Sequence, residues 1–311
     1  MHFTGTIWRP PYEAGSLLVE VTAGCTHHRC KFCTLYDDLP FRFRMSPLQD
    51  IEADLLEVQT AFHSPVGKLS AALQGLPPDT PYRRAYLVGA NPFVLQFDRL
   101  KTIAELIHRY FPECRTIGCF ARVTDIALKT DRQLSELRAL GYDGITIGVE
   151  TGDGEALAFM DKGYPPEEIL AQCRRLDQAG IGYHFFYLAG ISGAGRGEEG
   201  ARKSAALFNQ LHPRIIGTSM LTVWPESALY REIQAGNWQE AGELEKLREV
   251  KCLAEHLEIP VLFAALGASN AVPVQGRLPE DRQQLLAALE DACSTLKEEE
   301  LREYRTHLPH L

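Results

Sequence analysis

Apolar positions along the chain fall into two alternating kinds of segment. Short runs rich in Val, Ile, Leu, Phe and Tyr, each closed by Gly, Pro or a polar residue, predict strands over 16–22, 85–89, 116–122, 144–150, 183–190 and 215–223, with a seventh over 260–266. The stretches between them repeat at helical spacing. Ser46-Pro47-Leu48-Gln49 reads as a capping box with Pro at the first helical position, and Leu48, Ile51, Leu55 and Val58 follow on one face. Asp98 is placed to cap a helix carrying Leu100, Ile103, Ala104 and Ile107, and Thr130 with Gln133 forms a second capping box whose helix ends at Gly141. Further helices are predicted over 165–179, 198–211 and 238–257, with one or two over 278–304. Strands alternating with helices imply a parallel sheet with right-handed crossovers. Six or seven such units with no clear break predict an α/β fold, a partial or complete parallel (β/α) barrel with C-terminal helices. We expect a single domain over 1–311, with its core at about 16–225 and an extension at about 226–311. Residues 77–81, Pro-Pro-Asp-Thr-Pro, read as an inserted loop.

Composition narrows the function classes. The 311 residues are 45% hydrophobic and 23% charged, which excludes a disordered chain, a collagen and a coiled coil. A net charge of −9 offers no global basic field for phosphate backbones, so nucleic acid is disfavoured as the main partner. No long apolar window predicts a membrane span, and the first residues lack a basic head followed by an apolar run; the expected location is cytoplasmic.

Of eight cysteines, Cys114, Cys119, Cys173, Cys252 and Cys293 are scattered, whereas Cys25, Cys30 and Cys33 are bunched directly after the first strand. In a reducing compartment such a bunch points to metal or redox chemistry. In a parallel α/β barrel the loop after a strand lies on the face that carries active sites. Iron–sulfur cubanes take four cysteines as a rule. Three local thiolates would leave one iron open to an outside ligand. The alternative is a zinc site with His27 or His28 as a further ligand, although a His inside the short Cys25–Cys30 loop makes a cramped chelate.

This segment resembles the radical S-adenosylmethionine (SAM) superfamily. Four residues separate Cys25 from Cys30 and two separate Cys30 from Cys33, one more in the first gap than the usual family spacing. The resemblance extends over about 16–225. Gly148-Val149-Glu150-Thr151-Gly152, followed by Met160-Asp161-Lys162-Gly163, is similar to the signature of the branch containing elongator-like and methylthiotransferase-like enzymes. The resemblance implies a [4Fe–4S] cluster on Cys25, Cys30 and Cys33, and Phe32 near the SAM adenine. Gly89, Ala90 and Asn91 stand where the family often has a Gly-Gly-Glu motif that receives the methionine amino group. Arg122 is a candidate for the carboxylate, with pairing to Asp125 as its alternative. Glu150 would contact the ribose or amino group, Lys162 would face the carboxylate, and Gly190 would touch the adenine. Val223 could pack on the purine, with plain core packing as the alternative. Ser269 and Asn270 could line a substrate pocket, or form a capped turn.

The implied activity is reductive cleavage of SAM to a 5′-deoxyadenosyl radical, which takes hydrogen from a small-molecule or peptide substrate. The implied class is an iron–sulfur, SAM-dependent oxidoreductase or transferase. An external electron donor such as flavodoxin or ferredoxin is the implied partner. The competing readings are a non-catalytic Fe–S or zinc binding protein and an RNA-modifying radical SAM enzyme. Catalytic residues acting on substrate are not named by the sequence.

Overall fold

The computed structural model describes residues 1–73 and 82–308, so the segment 77–81 lies outside the described residues. The chain divides into two compact units. The first comprises Met1–Thr26, Asp38–Ile145 and Ala179–Ile181; the second comprises His27–Asp37, Thr146–Gln178 and Gly182–Leu311.

In the first unit the strand expected over 16–22 is two strands. β1 (Leu17–Glu20) ends before Val21, and β2 (Thr22–Gly24) turns away to pair antiparallel with β3 (Phe43–Met45). The close crossing requires a glycine: Gly24 has φ +75°, and a Cβ there would lie 2.2 Å from the Arg42 carbonyl oxygen. The helices α1 (Leu48–His63) and α2 (Pro65–Leu73) follow. The capping box expected at Ser46 is not formed. Pro47 takes the N-cap position without a side-chain cap, because the Ser46 N–H donates to the Val21 carbonyl and prolongs the hairpin. β4 (Arg84–Val88) pairs parallel with β1, Leu17 opposite Ala85 and Glu20 opposite Val88. After α3 (Phe97–Tyr110), β5 (Thr116–Ala121) pairs parallel with β4. Asp98 lies inside the first turn of α3 rather than at its cap, which is Gln96; a carboxylate there still favours the positive helix end. Two short helices follow, α4 (Val123–Ala127) and α5 (Asp131–Ala139). Thr130 and Gln133 form the predicted capping box, and Gly141 takes φ +94° beyond the end of α5. β6 (Tyr142–Glu150) begins in this unit and continues into the second. The strand order here is β1-β4-β5-β6. At the start of β4, Arg84 grips the buried Glu13 with Nε and Nη2 at 2.6–3.0 Å.

The second unit continues from β6 through α6 (Gly154–Phe159), α7 (Pro166–Ala179), β7 (Tyr183–Ala189), α8 (Gly197–Phe208) and β8 (Ile215–Met220). A short helix not expected from the sequence, α9 (Ala228–Gln234), comes next; it is capped by Ser227 and stops before Gly236 at φ +74°. The helix expected over 238–257 is present as α10 (Glu243–His256), which begins after Gly242. β9 (Val261–Ala265) pairs parallel with β8, and β10 (Val274–Leu278) pairs antiparallel with β9. The sheet is therefore parallel except at this edge, in the order β6-β7-β8-β9-β10. Two terminal helices, α11 (Arg282–Thr295) and α12 (Glu298–Thr306), complete the unit. Among the described residues no helix is long and apolar enough to cross a membrane.

Candidate active site

β6 ends inside the second unit on a residue in a strained conformation. Glu150 has φ +63°, in the left-handed region, which a side chain larger than Asn occupies only when its surroundings hold it there. The Lys162 ammonium holds it: Nζ donates to the Gly148 carbonyl (3.0 Å) and to Glu150 Oε1 (3.1 Å). Lys162 is 4% exposed, so both charges sit largely out of water and depend on each other. Its ammonium also lies 5.8 Å from the Phe32 ring centroid and 5.6 Å from that of Tyr164, whose hydroxyl donates to the same Gly148 carbonyl. Three residues singled out in the sequence, Phe32, Glu150 and Lys162, are thus one cluster. Tyr164 belongs with them and was missed, because a tyrosine two positions past Lys162 carries no spacing signal.

The motif around Glu150 is built for close packing. A Cβ on Gly152 would lie 2.7 Å from the Ser204 Cα of α8, and the Gly152 N–H donates to Ser204 Oγ. Phe32 and Val223 pack with Phe159 and Trp238 against the buried cluster of Met160, Leu188, Ile191, Leu221 and Leu229. Val223 is beyond the end of β8 rather than within it, because the strand closes at Met220.

The loop bearing Cys30 and Cys33 is anchored in this unit. Lys31 donates its N–H to the Met160 carbonyl and receives the Leu229 N–H on its own carbonyl, and the Cys33 N–H donates to the Cys30 carbonyl. His27 bonds through Nε2 to the Asp161 carbonyl, and His28 Nε2 meets Asp37 Oδ1 at 2.7 Å. The histidines available to the zinc alternative therefore have these other bonds. Among the described residues, three non-glycine residues have positive φ, His28, Glu150 and Asp161, and all lie in these segments.

The remaining cysteine, Cys25, is in the first unit, where its N–H donates to the Arg42 carbonyl. Gly89 follows β4 at φ +130°, and a Cβ there would lie 2.0 Å from Thr22 Oγ1. Gly89 and Ala90 are half-buried, whereas Asn91 is fully buried. Asn91 Nδ2 donates to Thr26 Oγ1 (2.8 Å) and to both oxygens of Asp125 (3.2 and 3.1 Å). Arg122 donates its backbone N–H to Asp125 Oδ2 (2.8 Å) and its guanidinium to Thr124 Oγ1 (3.1 Å), so its contact with Asp125 runs through the main chain. Burial pushes the Asp125 carboxyl up to about 6, and burial likewise lowers the nearby Lys129 to about 8.

Three other candidate residues have protein partners. The Gly190 N–H donates to Glu249 Oε2 (2.8 Å), and a Cβ on Gly190 would press on the Lys246 stem at 3.0 Å, so that glycine answers to α10. Ser269 and Asn270 both hydrogen-bond to β8. Ser269 Oγ accepts the Met220 N–H and Asn270 Nδ2 donates to the Thr218 carbonyl, so both residues secure the end of β8. They are 3% and 4% exposed, which matches the capped-turn reading.

Comparisons with known proteins place the chain in a family. The family model described as the Radical SAM superfamily matches residues 19–198, and the chain belongs to that superfamily. Its members are enzymes that use a [4Fe–4S] cluster and SAM. None of the curated proteins matches the chain. Among solved structures, the radical SAM methyltransferase TsrM of Kitasatospora setae aligns with TM-score 0.52 and 20% identity, over 71% of this chain and 37% of that one. Elp3 of the archaeon Methanocaldococcus infernus aligns with TM-score 0.53 and 13% identity, over 80% and 56%. Coproporphyrinogen III oxidase (HemN) of Escherichia coli aligns with TM-score 0.55 and 18% identity, over 78% and 52%. These likenesses establish the fold, and the chain spans little more than half the length of these proteins or less.

The donor set suits a thiolate-bound cluster. Burial raises the thiols of Cys114, Cys119, Cys173, Cys252 and Cys293, which keeps them protonated and poor ligands. Cys25, Cys30 and Cys33 are half-buried, and none of the eight cysteines is in a disulfide. Among the described residues no three His, Cys, Asp or Glu side chains are gathered around a point that would hold one ion. A cubane, by contrast, spreads its ligands over separate irons.

Proposed function

We propose that Cys25, Cys30 and Cys33 hold a [4Fe–4S] cluster and that the chain cleaves SAM reductively to act on a small-molecule or peptide substrate. The observation that carries this reading is the Phe32–Glu150–Lys162 cluster. Residues distant in sequence, each assigned to SAM by resemblance, gather around the buried Lys162 ammonium, with Phe32 and Glu150 partly buried beside it. When bound, the cofactor pair supplies one-electron cleavage of the sulfonium and a 5′-deoxyadenosyl radical for hydrogen abstraction.

The chain's own residues supply binding and orientation. Glu150 accepts hydrogen bonds from the hydroxyl or ammonium groups of SAM. Lys162 fixes the Glu150 rotamer and offers a cation toward the carboxylate. Phe32 and Val223 give an apolar wall to the adenine, and the half-buried Gly89–Ala90 backbone offers its peptide groups to the methionine end. Arg122, at the N-cap of α4, is the candidate cation for the carboxylate. The net charge of −9 favours a small molecule or a peptide over a polynucleotide. The electron donor is a flavodoxin- or ferredoxin-type protein.

The test is anaerobic reconstitution with iron and sulfide analysis. The wild-type chain takes about four irons and four sulfides, and Cys25→Ala, Cys30→Ala and Cys33→Ala each abolish the cluster, whereas Cys173→Ala keeps it. A normal cluster spectrum in the triple variant would overturn the ligand assignment.

A further inference from the structure

Asn91 was expected to face SAM, yet every polar atom of its side chain is directed into the protein. Nδ2 serves Thr26 Oγ1 and the Asp125 carboxylate, while Oδ1 receives the Thr26 N–H at 3.4 Å. The amide orientation is fixed by chemistry, because a carboxylate requires the NH2 end. Asn91 is 0% exposed and Asp125 2%. Thr26 is the residue directly after Cys25, so the amide grips the exit of that cysteine from both its N–H and its hydroxyl. Asp125 in turn accepts the Arg122 N–H at the start of α4. The loop after β4, the loop after β5 and the start of the cysteine segment are therefore joined through one buried side chain of the first unit.

We infer that Asn91 is a positioning residue for Cys25, holding the start of the cysteine loop through Thr26 with Asp125 as its anchor, and is not a SAM contact. The inference rests on Cys25 being a cluster ligand. A ligand whose main chain is pinned on both sides, by Arg42 before and Asn91 after, presents its sulfur in one direction. Partners at one remove from a metal ligand commonly change affinity about 10–100-fold when removed.

The experiment uses reconstituted full-length protein, with iron loss to a chelator and the EPR spectrum of the dithionite-reduced protein without SAM as readouts. Asn91→Ala should lose iron about tenfold faster than wild type and alter the EPR spectrum, with the KM for SAM unchanged in the cluster-bearing fraction. Asn91→Asp should behave no better, since it sets two carboxylates against each other. The exchange Asn91→Asp with Asp125→Asn should restore both readouts, because it returns one donor and one acceptor to the pair and the Thr26 hydroxyl can donate. If Asn91→Ala does not fold, Thr26→Val removes the same loop contact and carries the same expectation. Iron held as firmly as in wild type with a raised KM for SAM would overturn the inference, as would an exchange variant no better than Asn91→Asp. A wild-type chain that takes up no iron would instead bring down the cluster assignment, and the inference with it.

Discussion

Lys162 is the residue on which the second unit's polar site turns. It is nearly excluded from water and shares its charge between the Gly148 carbonyl and Glu150. Lys162→Met removes the cation and leaves the partly buried Glu150 carboxylate without its counter-charge, and charge-assisted bonds of this kind exceed neutral ones roughly twofold in strength. The expected outcome is a loss of SAM-dependent 5′-deoxyadenosine formation of about tenfold or more, with cluster iron retained. Activity that falls only in step with lost iron would place Lys162 in the fold alone, and full activity with iron retained would remove it from the SAM site. Gly89 supplies a second residue-scale prediction. Alanine there would need φ +130° and would set its Cβ 2.0 Å from Thr22 Oγ1. Gly89→Ala should therefore cost about 1–3 kcal/mol or more of stability, measured by denaturant unfolding. A neutral result would mean that β2 can move away from the loop.

At the scale of elements, α10 carries the strongest test. Its inner face places Glu243, Lys246 and Glu249 in the core, with Arg305 of α12 bonded to Glu243 by Nε and Nη2 at 2.7–3.1 Å. Burial raises the Glu249 carboxyl to about 8, although the Tyr187 hydroxyl and the Gly190 N–H both donate to it. The unfolded chain ionises this group near 4.5, whereas the folded chain keeps its proton until about pH 8. Its contribution to stability is constant below the lower value, falls as pH rises between the two and levels off above the upper one. Glu249→Gln should thus gain stability relative to wild type from pH 5 to pH 8, read as melting temperature across the series. A difference that does not change with pH would show that Glu249 is ionised throughout.

The elements also show where the sequence was legible. Long apolar runs gave β4, β5, β6 and β7 nearly to the residue, because a strand buried on both faces leaves little freedom in pattern. The short edge elements were hidden. β3 has only three residues, and β10 alternates Val274, Gly276 and Leu278 inward with Gln275 and Arg277 outward, behind a Pro that reads as turn chemistry. Ser46 looked like a cap because its local pattern is one, but its N–H is claimed by Val21, a partner distant in sequence. Among the candidate site residues, the motifs pointed to Glu150, Lys162 and Phe32, and the structure places these three side by side. Asn91, Gly190, Ser269 and Asn270 hydrogen-bond to buried protein groups, and sequence alone does not show where a small polar group points.

For the whole molecule, family membership, the α/β fold and the donor chemistry of three half-buried cysteines lead to a single claim, that the chain cleaves SAM by one-electron reduction. The most direct measurement is 5′-deoxyadenosine release from SAM by the anaerobically reconstituted, dithionite-reduced full chain, quantified beside the Cys30→Ala variant. The account predicts slow formation of 5′-deoxyadenosine and methionine by the wild-type protein even without substrate, and none by the variant. A wild-type protein that carries its full cluster and releases no 5′-deoxyadenosine under strong reduction would contradict it.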